Sequence, residues 1–331
     1  MTKVQENIIQ LNTPVGNSSF LLDTLAQLGT SDPKQNKKTL KNLKKRATAK
    51  FLQTSLVLKL IDLNSPLNKS YWNTWHCNRI ILQDGKKITG KYCNQRWCPV
   101  CNHIRTAKMI KGYLPQLKKM IDPRFVTLTF PSVSASELDF TINDIVKKIA
   151  LISALFRRRR GFRINGIRKI EVTYNEKTDM YHPHLHIILE GKEVGNAVID
   201  QWLKRYPEAE RWCQSNIEAD DKTLLELCKY STKLFEKQTV KEGGKKVLLL
   251  NPKALDVIYQ ALRNHRIMQP YGWVKAVSED VEEIDSQEYE DITEGVDVWT
   301  WEQEVSDWIN SSGEMLTGCE AYKEYELRYS G

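Results

Sequence analysis

In the run Pro183-His184-Leu185-His186-Ile187-Ile188-Leu189, two imidazoles separated by one residue stand in apolar surroundings. Alternation along a β-strand puts both on one face with Ile188, while Leu185, Ile187 and Leu189 cover the other. Burying an imidazole on such a strand costs free energy unless its ring nitrogens are paired, and a metal ion pairs two rings at once. His182 shares the face by parity but precedes the proline, which makes it the weaker ligand. Further on, Glu226-x-x-x-Tyr230-x-x-Lys233 brings a carboxylate, a phenol and an ammonium to spacings that converge on one side of a helix. A phenolate attacking a phosphodiester needs a cation on the phosphoryl oxygens and an ammonium that lowers the phenol pKa. A metal and Lys233 supply both, so the two motifs together point to metal-assisted DNA cleavage.

The elements that must position these groups follow from pattern. Lys169 to Tyr174 reads as a strand and Asn175 to Met180 as a polar turn, which makes a hairpin with the histidine strand. If Tyr174 faces Tyr181, Glu171 lies directly across from His184. A two-residue slip sets it across from His186, and a one-residue slip turns it to the other face. Glu171 is the expected carboxylate ligand. Two imidazoles and a carboxylate can hold Mn²⁺, Mg²⁺ with waters, Zn²⁺ or Fe²⁺, and spacing does not choose among them. The helix with Tyr230 starts near Asp220 or Asp221 and runs to about Lys237. Its inward stripe is Leu224, Leu227, Cys228, Ser231, Leu234 and Phe235, and Glu226, Tyr230, Lys233 and Lys237 lie opposite.

A second signal is separate. Cys93-x4-Cys98-x2-Cys101 is preceded by Cys77 across a segment whose Gln83-Asp84-Gly85-Lys86 reads as a hairpin turn. Four thiolates so spaced suit a structural zinc in a small ribbon-like module, where His76 or His103 could replace a cysteine. Cys213, Cys228 and Cys319 read as buried reduced thiols. Seven cysteines in a large chain with no signal peptide disfavour a disulfide framework. Around the module lie Tyr71, Trp72, Trp75, Tyr92 and Trp97 with Arg79, Arg96 and Arg105. That mixture suits base stacking and phosphate contact, or equally a small core with a solvated rim.

The 331 residues allow two or so domains, and 41% hydrophobic content suffices for a core. No apolar run is long enough to span a bilayer, and a soluble, cytoplasmic protein is expected. The net charge of +8 hides an asymmetry: residues 276–331 hold 17 acidic and 2 basic residues, leaving 47 basic against 24 acidic, or +23, for residues 1–275. Such a body, with Lys37-Lys38, Lys44-Lys45-Arg46 and Arg157-Arg158-Arg159-Arg160, binds phosphate backbones with marked salt dependence. Four regions are expected: a basic, partly disordered helical region (1–65), the cysteine module (66–115), a catalytic domain (116–275) and an acidic tail (276–331). Helices are expected over Lys34–Leu60, over Leu138–Phe156 without an obvious cap, and over Ala254–Arg263. In the tail, Val298, Trp301, Val305 and Trp308 at three- and four-residue steps predict an amphipathic helix, and the acidic segment could compete with DNA for the basic surface.

The motifs taken together resemble the plasmid rolling-circle replication initiators of the HUH endonuclease superfamily. Phe125 to Phe130 resembles the first strand motif of that family, His184-Leu185-His186 its paired histidines, and Tyr230-Ser231-Thr232-Lys233 its nucleophile block. Glu226, four residues before the tyrosine, resembles the subgroup in which a glutamate ends replication, and the cysteines precede the first strand in that subgroup too. The resemblance spans roughly residues 70–275. It implies an α+β fold with an antiparallel sheet of about five strands, the histidines on a central strand, flanking helices, and a zinc-ribbon-like module before it. It implies that Tyr230 attacks the nick site of a supercoiled, locally single-stranded plasmid origin, and that Glu226 later activates water. Mn²⁺ or Mg²⁺ would sit at His184, His186 and Glu171, and Zn²⁺ at Cys77, Cys93, Cys98 and Cys101. Arg157, Arg158, Arg159, Arg160, Arg96 and Arg105 would contact DNA, with a host helicase and replication polymerase as partners. Alternatives are a relaxase or single-tyrosine transposase using the same residues, a non-catalytic zinc-containing DNA-binding regulator, and a two-histidine, one-carboxylate oxygenase.

Overall fold

The computed structural model describes residues 33–84, 87–160, 163–228, 239–281 and 296–330. The basic run opens helix α1 (Pro33–Ile61). Leu43, Ala47, Lys50, Thr54 and Val57, at three- and four-residue steps, form its buried face. Helix α2 (Asn68–His76) packs on it, followed by a hairpin of β1 (Ile80–Asp84) and β2 (Lys87–Gly90) and by helix α3 (Pro99–Leu117). The expected turn around Asp84 is real, since Asp84 pairs with Lys87, although Gly85 and Lys86 lie outside the described residues. Pro99 opens α3 where its missing N–H costs nothing.

A five-stranded antiparallel sheet follows. Strand β3 (Pro123–Thr129) leads to helix α4 (Ala135–Leu155), which ends in a π-turn over Phe156–Arg160. Strands β4 (Gly166–Asn175) and β5 (Met180–Glu190) form a hairpin, then come helix α5 (Lys192–Arg205), strand β6 (Ser215–Glu218) and helix α6 (Asp221–Cys228). Strands β7 (Thr239–Glu242) and β8 (Lys245–Leu250), helix α7 (Pro252–Leu262) and strand β9 (Met268–Tyr271) continue the chain. The sheet order is β6-β3-β5-β4-β9, with the histidine strand β5 in the middle. The α+β class and the antiparallel five-strand sheet thus agree with expectation.

One face of the sheet is apolar: Val126 and Leu128 of β3, Ile170 of β4, and Leu185, Ile187 and Leu189 of β5 are all buried. With Ile142, Ile145, Ile149 and Ile152 of α4 and Trp202 of α5 they belong to one core. Helix α4 begins earlier than expected and is capped. The Ser134 hydroxyl and N–H donate to the Glu137 carboxylate at 2.6 and 3.0 Å, and together, the hydroxyl foremost, they hold that exposed carboxyl below its usual pKa.

The tail differs from expectation. Residues Val298 to Trp308 form two strands, β10 (Asp297–Glu302) and β11 (Asp307–Ile309), joined by a turn at Ser306, whose φ is 53°. The seven-residue step from Trp301 to Trp308 suits a helix and a tight hairpin alike. The hairpin prevails because Trp299 and Trp301 alternate inward on β10 while Trp308 faces Trp301 from β11, rings 4.8 Å apart. Val298, on the predicted helical stripe, is 41% exposed. Strand β10 pairs with β1 in a sheet ordered β11-β10-β1-β2, and Ile81, Ala47 and the three tryptophans share a second core. A short helix α8 (Ala321–Glu324) leads to β12 (Tyr325–Tyr329), which runs parallel to β8. Among the described residues no helix is long and apolar enough to cross a membrane.

Trp308 is fully buried and its Nε1–H donates to the Asn78 carbonyl at 2.9 Å. Trp308→Ala is expected to cost about 3–5 kcal/mol of unfolding free energy in urea. A loss below about 0.5 kcal/mol, the size of an ordinary surface change, would mean the C-terminal hairpin is peripheral.

Candidate functional site

Strand pairing decides where the ligating atoms sit. Tyr174 pairs with Tyr181, and Glu171 with His184, so the expected register holds without a slip. Lys169 opposes His186 from β4, and Thr127 and Thr129 of β3 oppose His186 and His184 from the other side. Directly opposed residues share a face, so two threonines, a lysine, a glutamate and two histidines line one side of the central strands. The Glu171 Oε2 lies 3.5 Å from His184 Nε2 and 3.6 Å from His186 Nε2.

Each imidazole is turned by its other nitrogen. His184 Nδ1 lies 3.2 Å from the His182 carbonyl, which only accepts, so Nδ1–H is the donor there and the ring turns its Nε2 toward Glu171. His186 Nδ1 meets the Thr127 hydroxyl at 3.2 Å, and its ring stacks on Phe125 with centroids 5.0 Å apart. The Lys169 ammonium, 3% exposed, grips the other Glu171 oxygen at 2.7 Å. Burial opposes ionisation of Glu171, but the His184 contact and the Lys169 charge override it and hold the carboxyl well below the usual range. Atoms bound about 2.1 Å from one ion stand about 3.0–3.4 Å apart at octahedral or tetrahedral angles. The observed separations are close to that, so Glu171, His184 and His186 fit a divalent cation. Lys169 and Thr127 are the members that sequence reasoning missed. Their signal was the two-residue alternation Lys169-x-Glu171 on a strand already assigned.

The second candidate centre gathers all four cysteines of the module. Cys77 follows α2, Cys93 follows β2, Cys98 caps α3 and Cys101 sits in its first turn. The Cys77–Cys101, Cys77–Cys98 and Cys93–Cys101 sulfurs lie 3.6, 3.6 and 3.7 Å apart. Thiolates held tetrahedrally at about 2.3 Å have edges of about 3.8 Å, which these sulfurs nearly match. Neither His76 nor His103 joins the group. Asn78 and Asn94, each just after a cysteine, adopt positive φ values of 53° and 57°, a region that asparagine tolerates better than most residues. Cys93 N–H reaches Cys77 Sγ and Cys101 N–H reaches Cys98 Sγ, both at 3.4 Å.

Lys50 is buried beside these sulfurs and donates to the Trp75 and Cys77 carbonyls at 2.8 and 2.6 Å. Burial pushes its ammonium down to about 8, against the opposing pull of Cys77, Cys98 and Cys93. A cation at the sulfurs would leave excess thiolate charge for it to offset.

Two of the residues expected at the chemistry, Tyr230 and Lys233, lie outside the described residues. Glu226 is half-buried on α6, whose Leu224, Leu227 and Cys228 face inward as expected, and Asp220 caps the helix through the Thr223 N–H at 2.7 Å. The Cys228 thiol is raised to about 11 by burial, with the Lys169 charge acting the other way. Tyr206 and Tyr259 are buried, Tyr206 donating to Asp144 at 2.7 Å.

Arg157 and Arg158 are exposed on the π-turn, whereas the side chains of Arg159 and Arg160 lie outside the described residues. Arg105 does not face solvent. It is 2% exposed, and its guanidinium donates to the carbonyls of Glu279, Gln95 and Asn94 and to Asn102 Oδ1. Arg96 is tied to the His265 carbonyl and lies 3.8 Å from Glu279. The irregular loop between Cys93 and Cys98 leaves carbonyls without strand partners, and Arg105 satisfies them.

Residues 85–214, which span three of the four cysteines and strands β3 to β5, match the family described as Replication protein. The chain is 34% identical over 116 residues to a protein of Staphylococcus aureus named Protein rep, covering 33% of this chain and 49% of that one. A Protein rep of Streptococcus pneumoniae is 32% identical over 110 residues, 30% of this chain and 32% of that one, and one of Lactiplantibacillus plantarum is 29% identical over 109, covering 30% and 33%. The matched part thus spans about half of the first relative and about a third of the others. No solved structure matches the chain. The resemblance to replication proteins therefore holds over the region that carries Glu171, His184 and His186 and all of the clustered cysteines but Cys77.

Glu171→Gln keeps the shape of the ligand but removes its charge and leaves Lys169 facing a neutral partner. Titration calorimetry with Mn²⁺ is expected to show at least tenfold weaker binding, and Thr127→Val, which strips only the hydroxyl on His186, about tenfold. Undiminished Mn²⁺ affinity in both variants would show that the cation is held elsewhere.

Proposed function

We propose that the protein is a plasmid replication initiator that nicks one strand at a double-strand origin with a tyrosine nucleophile. The observation that carries this reading is the convergence of the ligating atoms of Glu171, His184 and His186, which lie within 4.8 Å of one another on one face of the paired strands β4 and β5.

The proposed reaction runs on this chain's residues. Tyr230 Oη attacks the scissile phosphorus as Lys233 steadies the phenolate; the bond from phosphorus to the 3′-oxygen breaks. The 3′-oxygen takes up a proton and becomes the primer for rolling-circle synthesis, while the 5′-phosphate stays on Tyr230. After one round Glu226 accepts a proton from a water that attacks the scissile phosphodiester of the regenerated site; the bond from phosphorus to the 3′-oxygen breaks, and the 3′-oxygen takes up a proton and leaves as a hydroxyl. A divalent ion held by Glu171, His184 and His186 would polarise the phosphoryl oxygens, and Mn²⁺ or Mg²⁺ suits that task because both bind phosphate oxygen readily. The four cysteines would hold Zn²⁺ in a structural role. Arg157 to Arg160 and the basic body would grip the backbone of origin DNA, and a host helicase and polymerase would extend the primer.

The test is a nicking assay on supercoiled plasmid carrying the chain's own origin, with Mn²⁺, Mg²⁺ or EDTA, for the unaltered chain and Tyr230→Phe. The expected outcome is metal-dependent relaxation with protein attached to the new 5′ end, lost with EDTA and reduced by at least about 10³-fold in Tyr230→Phe. Binding without nicking by the unaltered chain under every metal would overturn the reading in favour of a DNA-binding regulator. Purified protein should also carry one zinc per chain by elemental analysis, with none in a variant lacking Cys98 and Cys101.

A further inference from the structure

The aromatic and basic residues around the cysteine module divide into two sets. Tyr71 and Trp97 turn inward: Tyr71 donates to the Asp256 carboxylate, and Trp97 packs against Tyr71 and Tyr259 with centroids 5.9 and 5.5 Å away. Trp72, Trp75 and His76 turn the other way and form a stepped cluster at the end of α2. Trp72 is 42% exposed, its ring 5.8 Å from Trp75 and 6.4 Å from His76, and Arg79 lies 4.2 Å over Trp75. His76 and Arg79 continue into a cleft of about 520 Å³ completed by Asn73, Lys91 and Tyr92. That volume is in the range of small-ligand sites.

We infer that this cleft, with Trp72 at its rim, binds single-stranded DNA, one unpaired base stacking on the Trp72 and His76 rings while Arg79 and Lys91 take the adjoining phosphates. Three observations carry it. Arg79 and Lys91 line the cleft and no carboxylate does, while the buried Lys50 offsets the sulfur charge of its floor, so cations are what it presents to phosphate. The C-terminal carbonyls of α2, which would repel an anion, are occupied, since Lys50 bonds those of Trp75 and Cys77. The floor is tied to the module, because Cys77 and Cys93 line the cleft, belong to the four-sulfur centre and are joined by the Cys93 N–H donating to Cys77 Sγ at 3.4 Å. The faces of duplex bases are covered by their neighbours, whereas an unpaired base has a free face for an aromatic ring. A stacking platform with flanking cations therefore selects single strands.

The inference rests on the reading that the chain works on a locally single-stranded origin. Its test uses the full chain with its metal bound, and fluorescence anisotropy with a labelled oligothymidylate and a blunt duplex of equal length at one salt concentration. Trp72→Ala is expected to weaken single-strand binding about five- to hundredfold and leave duplex binding unchanged. Trp72→Phe, which keeps a stacking face, should restore most of it, and Arg79→Ala with Lys91→Ala should lower the salt dependence. Unchanged single-strand affinity in Trp72→Ala, or an equal loss for both DNA forms, overturns the proposal. Metal content equal to that of the unaltered chain certifies that the variant is folded. Plasmid nicking is scored separately, so a chain that nicks nothing yet loses single-strand affinity in Trp72→Ala keeps the cleft and removes the initiator reading. Nicking with unaltered affinity does the reverse.

Discussion

The pairing of β4 with β5 is the constraint on which the rest depends. Side chains alternate at a period of two, so a shift of one residue would send Glu171 and Lys169 to the apolar face and break the constellation at once. The register is enforced from both sides of β5. On the apolar face Leu185, Ile187 and Leu189 are buried, and exposing them would cost several kcal/mol. On the polar face the Lys169–Glu171 ion pair is inside the protein, where a separated charge is far more expensive than on a surface. The hydrophobic core thus fixes a functional geometry in which it has no direct part.

The cysteine module applies the same logic with fewer residues. Its strands are short and its linking loop irregular, so a conventional core is small there. Arg105 and Lys50 compensate by donating to backbone carbonyls that no strand satisfies. Both are cations on segments that composition alone would assign to the surface. Placing such charges inside is tolerated because each is ringed by acceptors and, for Lys50, by sulfurs.

The sequence made the central features legible where period and chemistry agreed. The alternation at His184 and His186, the polar turn at Asn175 to Met180 and the matching of Tyr174 with Tyr181 were enough to place Glu171. The grouping of Cys77 with Cys93, Cys98 and Cys101 followed from spacing. The cap of α4 was written in Ser134 and Glu137 but is easily missed, because the apolar stripe begins only at Leu138. The tail misled because a seven-residue step between Trp301 and Trp308 fits two geometries, and only the distant partner strand β1 distinguishes them. Arg105 shows the general limit: charge predicts exposure on average, and nothing local reveals that a loop will need a buried donor.

The pairing of β1 with β10 sets an order on events during synthesis. Ile80 emerges early, yet its partner Thr300 lies near the end of the chain. At about 5–20 residues per second, translation leaves that strand edge open for about 10–40 s. An open edge is a template for another chain. Until the last tryptophans arrive, the nascent protein must rely on the early cysteine cluster and on its dense positive charge, which repels neighbouring copies, to keep that edge from finding the wrong partner.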